Sequence, residues 1–159
     1  MQTARIAGFT LIEAMVVVAI IGATVITILP MHQWLNRQGV RHAVEQLQSD
    51  LQLTRVAAIR NKETCCVQFD TPTMNQYFVE SANRRCDLAA YRGDVHFLKQ
   101  GPDGKPMAGM VRFNCQGMST TVAPADIFIT DGSGSAVYRI QVKLPGGISV
   151  HLWRNQRWQ

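Results

Sequence analysis

The run Gly8-Phe9-Thr10-Leu11-Ile12-Glu13, followed by the apolar stretch 14–29, decides how this chain is organised. From Phe9 to Leu29 there are twenty-one residues, and Glu13 is the only one that carries a charge. A helix of that length spans roughly 30 Å, the thickness of a bilayer core. Burying a carboxylate inside such a helix costs at least about 2.5 kcal/mol, so we expect Glu13 to have a specific partner.

The residues before this helix indicate what the partner is. Residues 1–8 form a short polar leader with one charged side chain, Arg5, and with a glycine at its end. A secretory signal peptide has its apolar region before the cleavage site, whereas here the apolar region lies after the expected cut at Gly8. That cut would leave the helix on the mature protein. It would also place a new positive amine on Phe9, one helical turn from Glu13.

The run from Gly8 to Glu13, with its continuation Met15-Val-Val-Val-Ala-Ile-Ile-Gly22, resembles the class III signal of type IV prepilins and type II secretion pseudopilins. The resemblance implies that a prepilin peptidase cuts after Gly8 and N-methylates Phe9. It also implies that Glu13 meets the N-terminal amine of a neighbouring subunit during filament assembly. An ordinary single-span anchor is the alternative, but it leaves Glu13 unexplained.

Length and composition limit the part of the chain beyond the anchor. The chain has 159 residues, which fits one membrane helix and one small domain. A hydrophobic fraction of 47% predicts that the remainder folds. The formal net charge is +5, and the basic surplus is uneven. Residues 31–98 carry eight Lys/Arg against seven Asp/Glu, while residues 99–159 carry seven against three, which favours an anionic partner such as DNA or a lipid surface.

The helix is predicted to continue beyond the apolar run. We expect Pro30 to kink it, because proline removes a backbone donor and crowds the preceding turn. Beyond the proline, apolar residues recur at helical spacing, namely Val40, Val44, Leu47, Leu51 and Ala58. The pattern predicts one helix from about Phe9 to Lys62, bent near Pro30 and loosened at Gly39.

After Asn61 the hydrophobic period becomes that of strands. The predicted strands are rich in β-branched and aromatic residues, and they are Thr64–Phe69, Tyr77–Val79, Asp94–Lys99, Met110–Asn114, Asp126–Thr130, Ala136–Leu144 and Ile148–Trp153. Residues 81–87 are predicted as a polar segment, and the glycine-rich runs at 131–134 and 145–147 as turns. The predicted fold class is α+β, with a long N-terminal helix packed on a mostly antiparallel β-sheet.

These observations divide the chain into four parts. We expect a leader over residues 1–8, a transmembrane and filament-core helix over 9–29, an amphipathic continuation over 30–62 and a β-rich globular domain over 63–159. The resemblance implies a single-pass protein of the bacterial inner membrane with this domain in the periplasm. The partners it implies are other pilin or pseudopilin subunits, the prepilin peptidase and the inner-membrane assembly platform.

A finer resemblance rests on three features of the domain. The segment Leu47-Gln-Ser-Asp-Leu51 followed by 55–60, the strand Val111-Arg-Phe113 followed by Gly117, and the late hairpin closing on Gly147 are similar to the minor-pilin branch. That branch includes pseudopilin H of type II secretion and the fimbrial minor pilin T. The resemblance therefore implies a minor pilin or pseudopilin that is incorporated at or near the tip of a filament.

The C-terminus departs from the short Gly-Arg-rich ending expected of that branch. Here two tryptophans, Trp153 and Trp158, flank two arginines, Arg154 and Arg157. Arginines can contact phosphates and indole rings can stack on bases, so the alternative function is a DNA-binding minor pilin that acts in DNA uptake. The competing interpretation is a last strand whose Trp153 fills the core and whose arginines are solvated.

The four cysteines, Cys65, Cys66, Cys86 and Cys115, all lie beyond the membrane helix. A periplasmic domain would permit disulfides. Because a bridge between the adjacent Cys65 and Cys66 has poor geometry, we expect Cys86 and Cys115 each to pair with one member of that doublet if two bridges form. Unpaired buried thiols are the alternative. A zinc site is disfavoured, since no C-x-x-C spacing occurs and the four histidines are scattered.

No enzymatic constellation is present in the sequence. Ser133 lies between Gly132 and Gly134, but these residues form neither a nucleophile elbow nor a dinucleotide loop. The aspartates of the later turns lack the dense oxygen ligands of a calcium loop. We therefore predict a structural assembly protein without catalytic residues, metal or cofactor.

Overall fold

The computed structural model describes residues 11–70, 73–121, 124–134 and 136–159, with the backbone alone for helix residues 24–36. Arg5, Gly8 and Phe9 lie outside the described residues. The chain divides into two compact units, Met1–Trp34 and Leu35–Gln159. The described part of the first unit, residues 11–34, is helical. The second contains the core and every strand found among the described residues.

One long helix, α1, runs over Leu11–Asn61. In the second unit its predicted apolar stripe is buried, and the members of that stripe are Val40, Val44, Leu47, Leu51 and Ala58. The helix ends where Lys62 adopts a left-handed conformation with φ 56° and the amide of Glu63 donates to the carbonyl of Ala58.

The loosening expected at Gly39 is not observed, since the helix is uninterrupted there. A Cβ atom at Gly39 would overlap the carbonyl oxygen of Arg92, which belongs to the loop packed against the helix. Glycine is therefore required at this position for close approach of two backbones and not for flexibility.

The first sheet has the order β3-β2-β1-β5, and all of its pairings are antiparallel. Its strands are β1 Cys65–Phe69, β2 Gln76–Val79, β3 Arg84–Asp87 and β5 Met110–Phe113. In β5 the buried Val111 and Phe113 alternate with the exposed Arg112, the pattern of a sheet with one face on the core. Strand β3 falls within the segment predicted only as polar.

The second sheet has the order β4-β6-β7-β8-β9, again antiparallel throughout. Its strands are β4 His96–Phe97, β6 Ala125–Thr130, β7 Val137–Val142, β8 Ile148–Arg154 and β9 Arg157–Trp158. Every residue of β6 is buried, and the strand is paired on both edges, by β4 and by β7. The α+β prediction is confirmed, with two antiparallel sheets in place of one.

The core lies where α1 meets the sheets. Three aromatic side chains pack edge to face or tilted there, with ring centroids 5.4 Å apart for Phe69 and Phe97 and 6.3 Å apart for Tyr77 and Phe97. All three rings are buried. This packing joins β1 and β2 of the first sheet to β4 of the second.

Candidate functional site

The N-terminal part of α1 is apolar on every side that the structure describes. From residue 11 to 23 all side chains are exposed, including Leu11, at 80%, and Met15, at 65%. A helix that is apolar all round is stable only when another apolar phase covers it. Glu13 is exposed among these side chains in the first turn of the described helix.

Two of the predicted processing residues, Gly8 and Phe9, lie outside the described residues, so the geometry of the cleavage site is not described. The predicted span 9–29 has described side chains only at 11–23. Within the described part of the chain, no helical stretch meets the combined length and apolarity needed to cross a bilayer.

At the other end of the chain, the structure brings the two predicted tryptophans together. Trp153 on β8 lies opposite Trp158 on β9, with ring centroids 4.9 Å apart in an edge arrangement. The strands are joined by a two-residue turn in which Asn155 and Gln156 both have positive φ, 51° and 59°. Such a turn matches the twist of a hairpin.

Trp158 is engaged by contacts within the domain. Its ring stacks on Phe128 at a centroid distance of 5.8 Å, and the guanidinium of Arg139 lies 4.5 Å from its centroid. The indole Nε1 donates a hydrogen bond of 3.1 Å to Oδ2 of Asp103. A ring held by these contacts is not available to stack on a nucleotide base, so a stacking role for Trp158 in the predicted DNA surface is disfavoured.

The two arginines of the hairpin, unlike Trp158, are exposed to solvent. Arg154 and Arg157 are directly opposite each other across β8 and β9, and both are exposed. Among the described residues neither forms an ion pair with an acidic side chain. The structure therefore presents two adjacent cations at the tip of the second sheet, as the solvated-arginine interpretation also predicts.

An acidic residue lies close to this hairpin. Asp103 is 3.6 Å from Nη1 of the buried Arg139 and 3.8 Å from Nζ of Lys105. Burial acts to raise the pKa of Asp103, but the hydrogen bonds from Trp158 and the backbone of Lys105 outweigh it, so that pKa lies below its ordinary value. The sequence predicts Asp103 only as a turn residue, because its contact with Trp158 is visible only in three dimensions.

Sequence reasoning missed a second polar cluster, which is centred on Asp50. The carboxylate is buried on α1 and accepts hydrogen bonds from Tyr77, at 2.8 Å, and from Arg84, at 2.6 Å. Gln46 donates to it at 3.2 Å, and the thiol of Cys86 lies 3.8 Å away. The cluster fastens α1 to β2 and β3. The sequence contains one indication of this cluster, because Asp50 falls between Leu47 and Leu51 of the apolar stripe.

The residues of the finer resemblance meet at one place. Nε of Arg55 on α1 donates a hydrogen bond of 2.9 Å to the carbonyl of Gly117. A Cβ atom at Gly146, where φ is 80°, would overlap that same carbonyl. Arg55 thus holds the turn after β5 against the helix, and the turn between β7 and β8 lies directly against that turn at Gly146.

All four cysteines are free in the structure, so the predicted bridges are not formed in it. The strand order explains why Cys86 is remote from the doublet. Cys86 is paired with Tyr77, which is paired with Phe69, so two strand spacings and at least three residues separate Cys86 from Cys65 and Cys66. That separation is roughly 14 Å, beyond the limit of about 7 Å for a disulfide. Burial raises the pKa of Cys65 and of Cys66.

Comparison with known proteins adds two findings. Residues 3–29 match the family model of the prokaryotic N-terminal methylation motif. The chain is also similar to the crystal structure of the type IV minor pilin FimU of Pseudomonas aeruginosa strain PAO1, with a TM-score of 0.56. That similarity covers 79% of this chain and 96% of that one at 14% sequence identity, so it establishes the fold alone.

No curated protein gives a significant match to the chain. Among the described residues, no group of three or more His, Cys, Asp or Glu side chains is placed to hold a metal ion. The chain therefore joins a prokaryotic N-terminal methylation motif to a domain with a type IV pilin-like fold.

Proposed function

We propose that the chain is a minor pilin or pseudopilin that is assembled into a type IV pilus or a type II secretion pseudopilus. The observation that carries the proposal is the match of residues 3–29 to the N-terminal methylation motif, because that stretch contains Gly8, Phe9 and Glu13. The fold shared with a minor pilin supports it independently. The exposed apolar helix surface at 11–23 supplies a reason for packing against other helices or lipid.

In this proposal the peptidase removes residues 1–8 and methylates the new N-terminus at Phe9. The chain then stays in the inner membrane with its domain in the periplasm until it joins a filament, at or near the tip. Its partners are other pilin-like subunits, the peptidase and the assembly platform. The pseudopilin H and fimbrial minor pilin T branch is the one that the finer resemblance suggests, and two of the residues that carry it, Arg55 and Gly117, are joined by a hydrogen bond.

Glu13 sets the axial register in this mechanism. In a low-dielectric environment a carboxylate is strongly attracted to a positive amine, and misalignment leaves both charges buried without a partner. The Phe9 amine of a neighbouring subunit is the partner that the motif supplies. Pairing therefore favours one helix position over the others.

The experiment compares Glu13→Ala with wild type in cells that assemble the filament. We expect leader removal to proceed in the variant, while its incorporation into sheared filaments falls about tenfold or more. Gly8→Glu is the matched control, because it should block cleavage itself and leave the longer form on a gel. Wild-type incorporation of Glu13→Ala would overturn the register role.

DNA uptake is the second candidate, and the exposed pair Arg154 and Arg157 favours it. Binding through two arginines would be weak, salt-dependent and indifferent to sequence. A gel-shift series with the full chain in detergent tests this candidate. Salt-sensitive binding that is lost in the double variant Arg154→Ala/Arg157→Ala supports it, and binding that the double variant retains contradicts it.

A further inference from the structure

Among the described residues, the outer edge of strand β8 is unpaired over residues 148–151. Its inner edge is paired with β7 from Ile148 to Leu152, but β9 covers its outer edge only at Trp153 and Arg154. Gln159 extends that cover by exchanging two hydrogen bonds with Leu152, at 2.8 and 2.9 Å. Within the described residues, no strand pairs with the outer edge before Leu152.

The register shows which backbone groups this edge presents. Leu152 directs its amide and carbonyl outward to Gln159, and hydrogen-bonding direction alternates along a strand. Ile148 and Val150 therefore direct theirs outward as well. The amide of Lys143 donates to Gly147, as this register requires. Four backbone groups in a row are thus available to a further strand.

The side chains along the edge are apolar and incompletely covered. Ile148 and Val150 are partly buried and pack against the core beside Val142 and Ile140 of β7. Edge strands are usually kept from pairing with another chain by a proline, a lysine or a bulge. The segment Ile148-Ser149-Val150-His151 contains none of these. An added strand would cover the apolar flank and pair the four backbone groups at once.

A groove of about 410 Å³ lies beside this edge. Its lining includes Ile148 of β8 together with Val56 and Ile59 of α1, and those two helix residues are 57% and 46% exposed. Among the described residues that line it, Arg55 alone is charged. The groove therefore offers an apolar pocket for the inward-pointing side chains of an added strand.

The charges around the edge specify the partner further. Lys143 is exposed at the end where β8 begins, and Arg154 and Arg157 are exposed at the end where β9 covers it. We infer that the outer edge of β8 is a docking site for an extended segment of a partner protein, with apolar residues at alternate positions and acidic residues at its ends. A second copy of this chain fits less well, because pairing β8 with β8 would bring these cations together.

The test uses the full chain in detergent and a synthetic peptide with valine at alternate positions, threonine between them and glutamate at both ends. Hydrogen exchange of the backbone amides and a binding titration are followed together. We expect saturable binding with slowed exchange at Ile148 and Val150. A peptide with lysine in place of glutamate should bind about tenfold more weakly.

Two variants keep the result interpretable. Val150→Pro removes an outward amide without touching the ladder to β7, and Ile59→Asp places a charge in the groove wall. Each variant should bind the glutamate peptide about tenfold more weakly, or weaker still. Leu53→Asp is the matched control, since Leu53 is 61% exposed on α1 and does not line the groove.

Three outcomes would overturn the inference. They are an absence of saturable binding, binding that both Val150→Pro and Ile59→Asp leave unchanged, and equal binding of the lysine peptide. Hydrogen exchange at the amides of Ile148 and Val150 could instead slow as the protein concentration rises, without any peptide. That result would identify a second copy of the chain as the occupant and would overturn the assigned partner. The inference stands apart from leader processing, so its failure would leave the proposed function untouched.

Discussion

Nη2 of Arg84 on β3 donates a hydrogen bond of 2.6 Å to Oδ1 of Asp50, a carboxylate that is buried on the core face of α1. The arginine side chain is half exposed, so the pair joins an interior charge to the surface. Tyr77 binds the second oxygen of the same carboxylate. A single acid thus connects the helix to two strands of the first sheet, and its loss affects all three elements.

We predict that Asp50→Ala destabilises the domain by about 2–4 kcal/mol, because the Tyr77 hydroxyl loses its acceptor and the Arg84 guanidinium loses its counter-charge. Urea denaturation followed by far-UV circular dichroism measures the change. Glu45→Ala is the control, since its pair with Arg41 is solvent-exposed and contributes little to stability. Equal stability of the two variants would show that the cluster does not fasten the helix.

The same cluster predicts a dependence on alkaline pH. Burial and the hydrogen bond and charge of Asp50 raise the pKa of Tyr77 well above its ordinary value. The folded state therefore favours the neutral phenol. Its stabilisation is complete below the unfolded pKa of about 10 and declines as the pH rises further.

We expect the wild-type free energy of unfolding to fall between about pH 10 and 12, and Tyr77→Phe to show a smaller slope, by at most about 1.4 kcal/mol per pH unit. Denaturation curves at several pH values measure the slopes, with Tyr138→Phe as the control. An unchanged slope in Tyr77→Phe would mean that this phenol ionises in the folded state as easily as in the unfolded state.

Asp103 gives a prediction for acidic pH. Its pKa is lowered, so it stabilises the fold above its unfolded pKa of about 3.9, and that contribution declines as the pH falls. We expect Asp103→Asn to reduce the loss of stability between about pH 4 and 2. Denaturation at these pH values checks this, with the exposed Glu63→Gln as the control. The same acid dependence in Asp103→Asn and wild type would count against the lowered pKa.

Gly39 gives a steric prediction. Gly39→Ala should destabilise the domain by about 1–3 kcal/mol, although alanine is the better helix former, because the new Cβ would overlap the Arg92 carbonyl. Gly147→Ala should change stability by less than about 0.5 kcal/mol, since its Cβ would meet no atom within 4 Å. Thermal unfolding of both variants makes the comparison. A stabilised Gly39→Ala would refute the close backbone approach.

The elements that could be predicted from the sequence are those whose patterns are local. The stripe from Val40 to Ala58 predicted the helix, and alternation predicted β1 and β5 within a residue or two. Strand β3 was missed because it lies at a sheet edge and carries polar residues. Strand β9 was missed because its turn uses Asn155 and Gln156, which adopt positive φ without the usual glycine.

Only a local motif allows site residues to be predicted from the sequence, and the roles of Gly8, Phe9 and Glu13 stay predictions. Gly8, Phe9 and Glu13 lie in one contiguous run, whereas Asp103 and Trp158 meet across 55 residues of chain. The expected disulfide between Cys86 and either Cys65 or Cys66 is not formed for the same reason. Residue spacing does not reveal that β2 lies between the strand of Cys86 and the strand of that pair. Such contacts depend on strand order, which the local pattern does not contain.

In the proposed function the chain is cut after Gly8, and Glu13 pairs with the new amino terminus of a neighbouring subunit. Mass spectrometry of the polypeptide extracted from membranes of cells with an active prepilin peptidase tests it most directly. We predict a protein that begins at Phe9 and carries one additional methyl group on its amine. A protein that still carries residues 1–8 in those cells would rule out processing after Gly8.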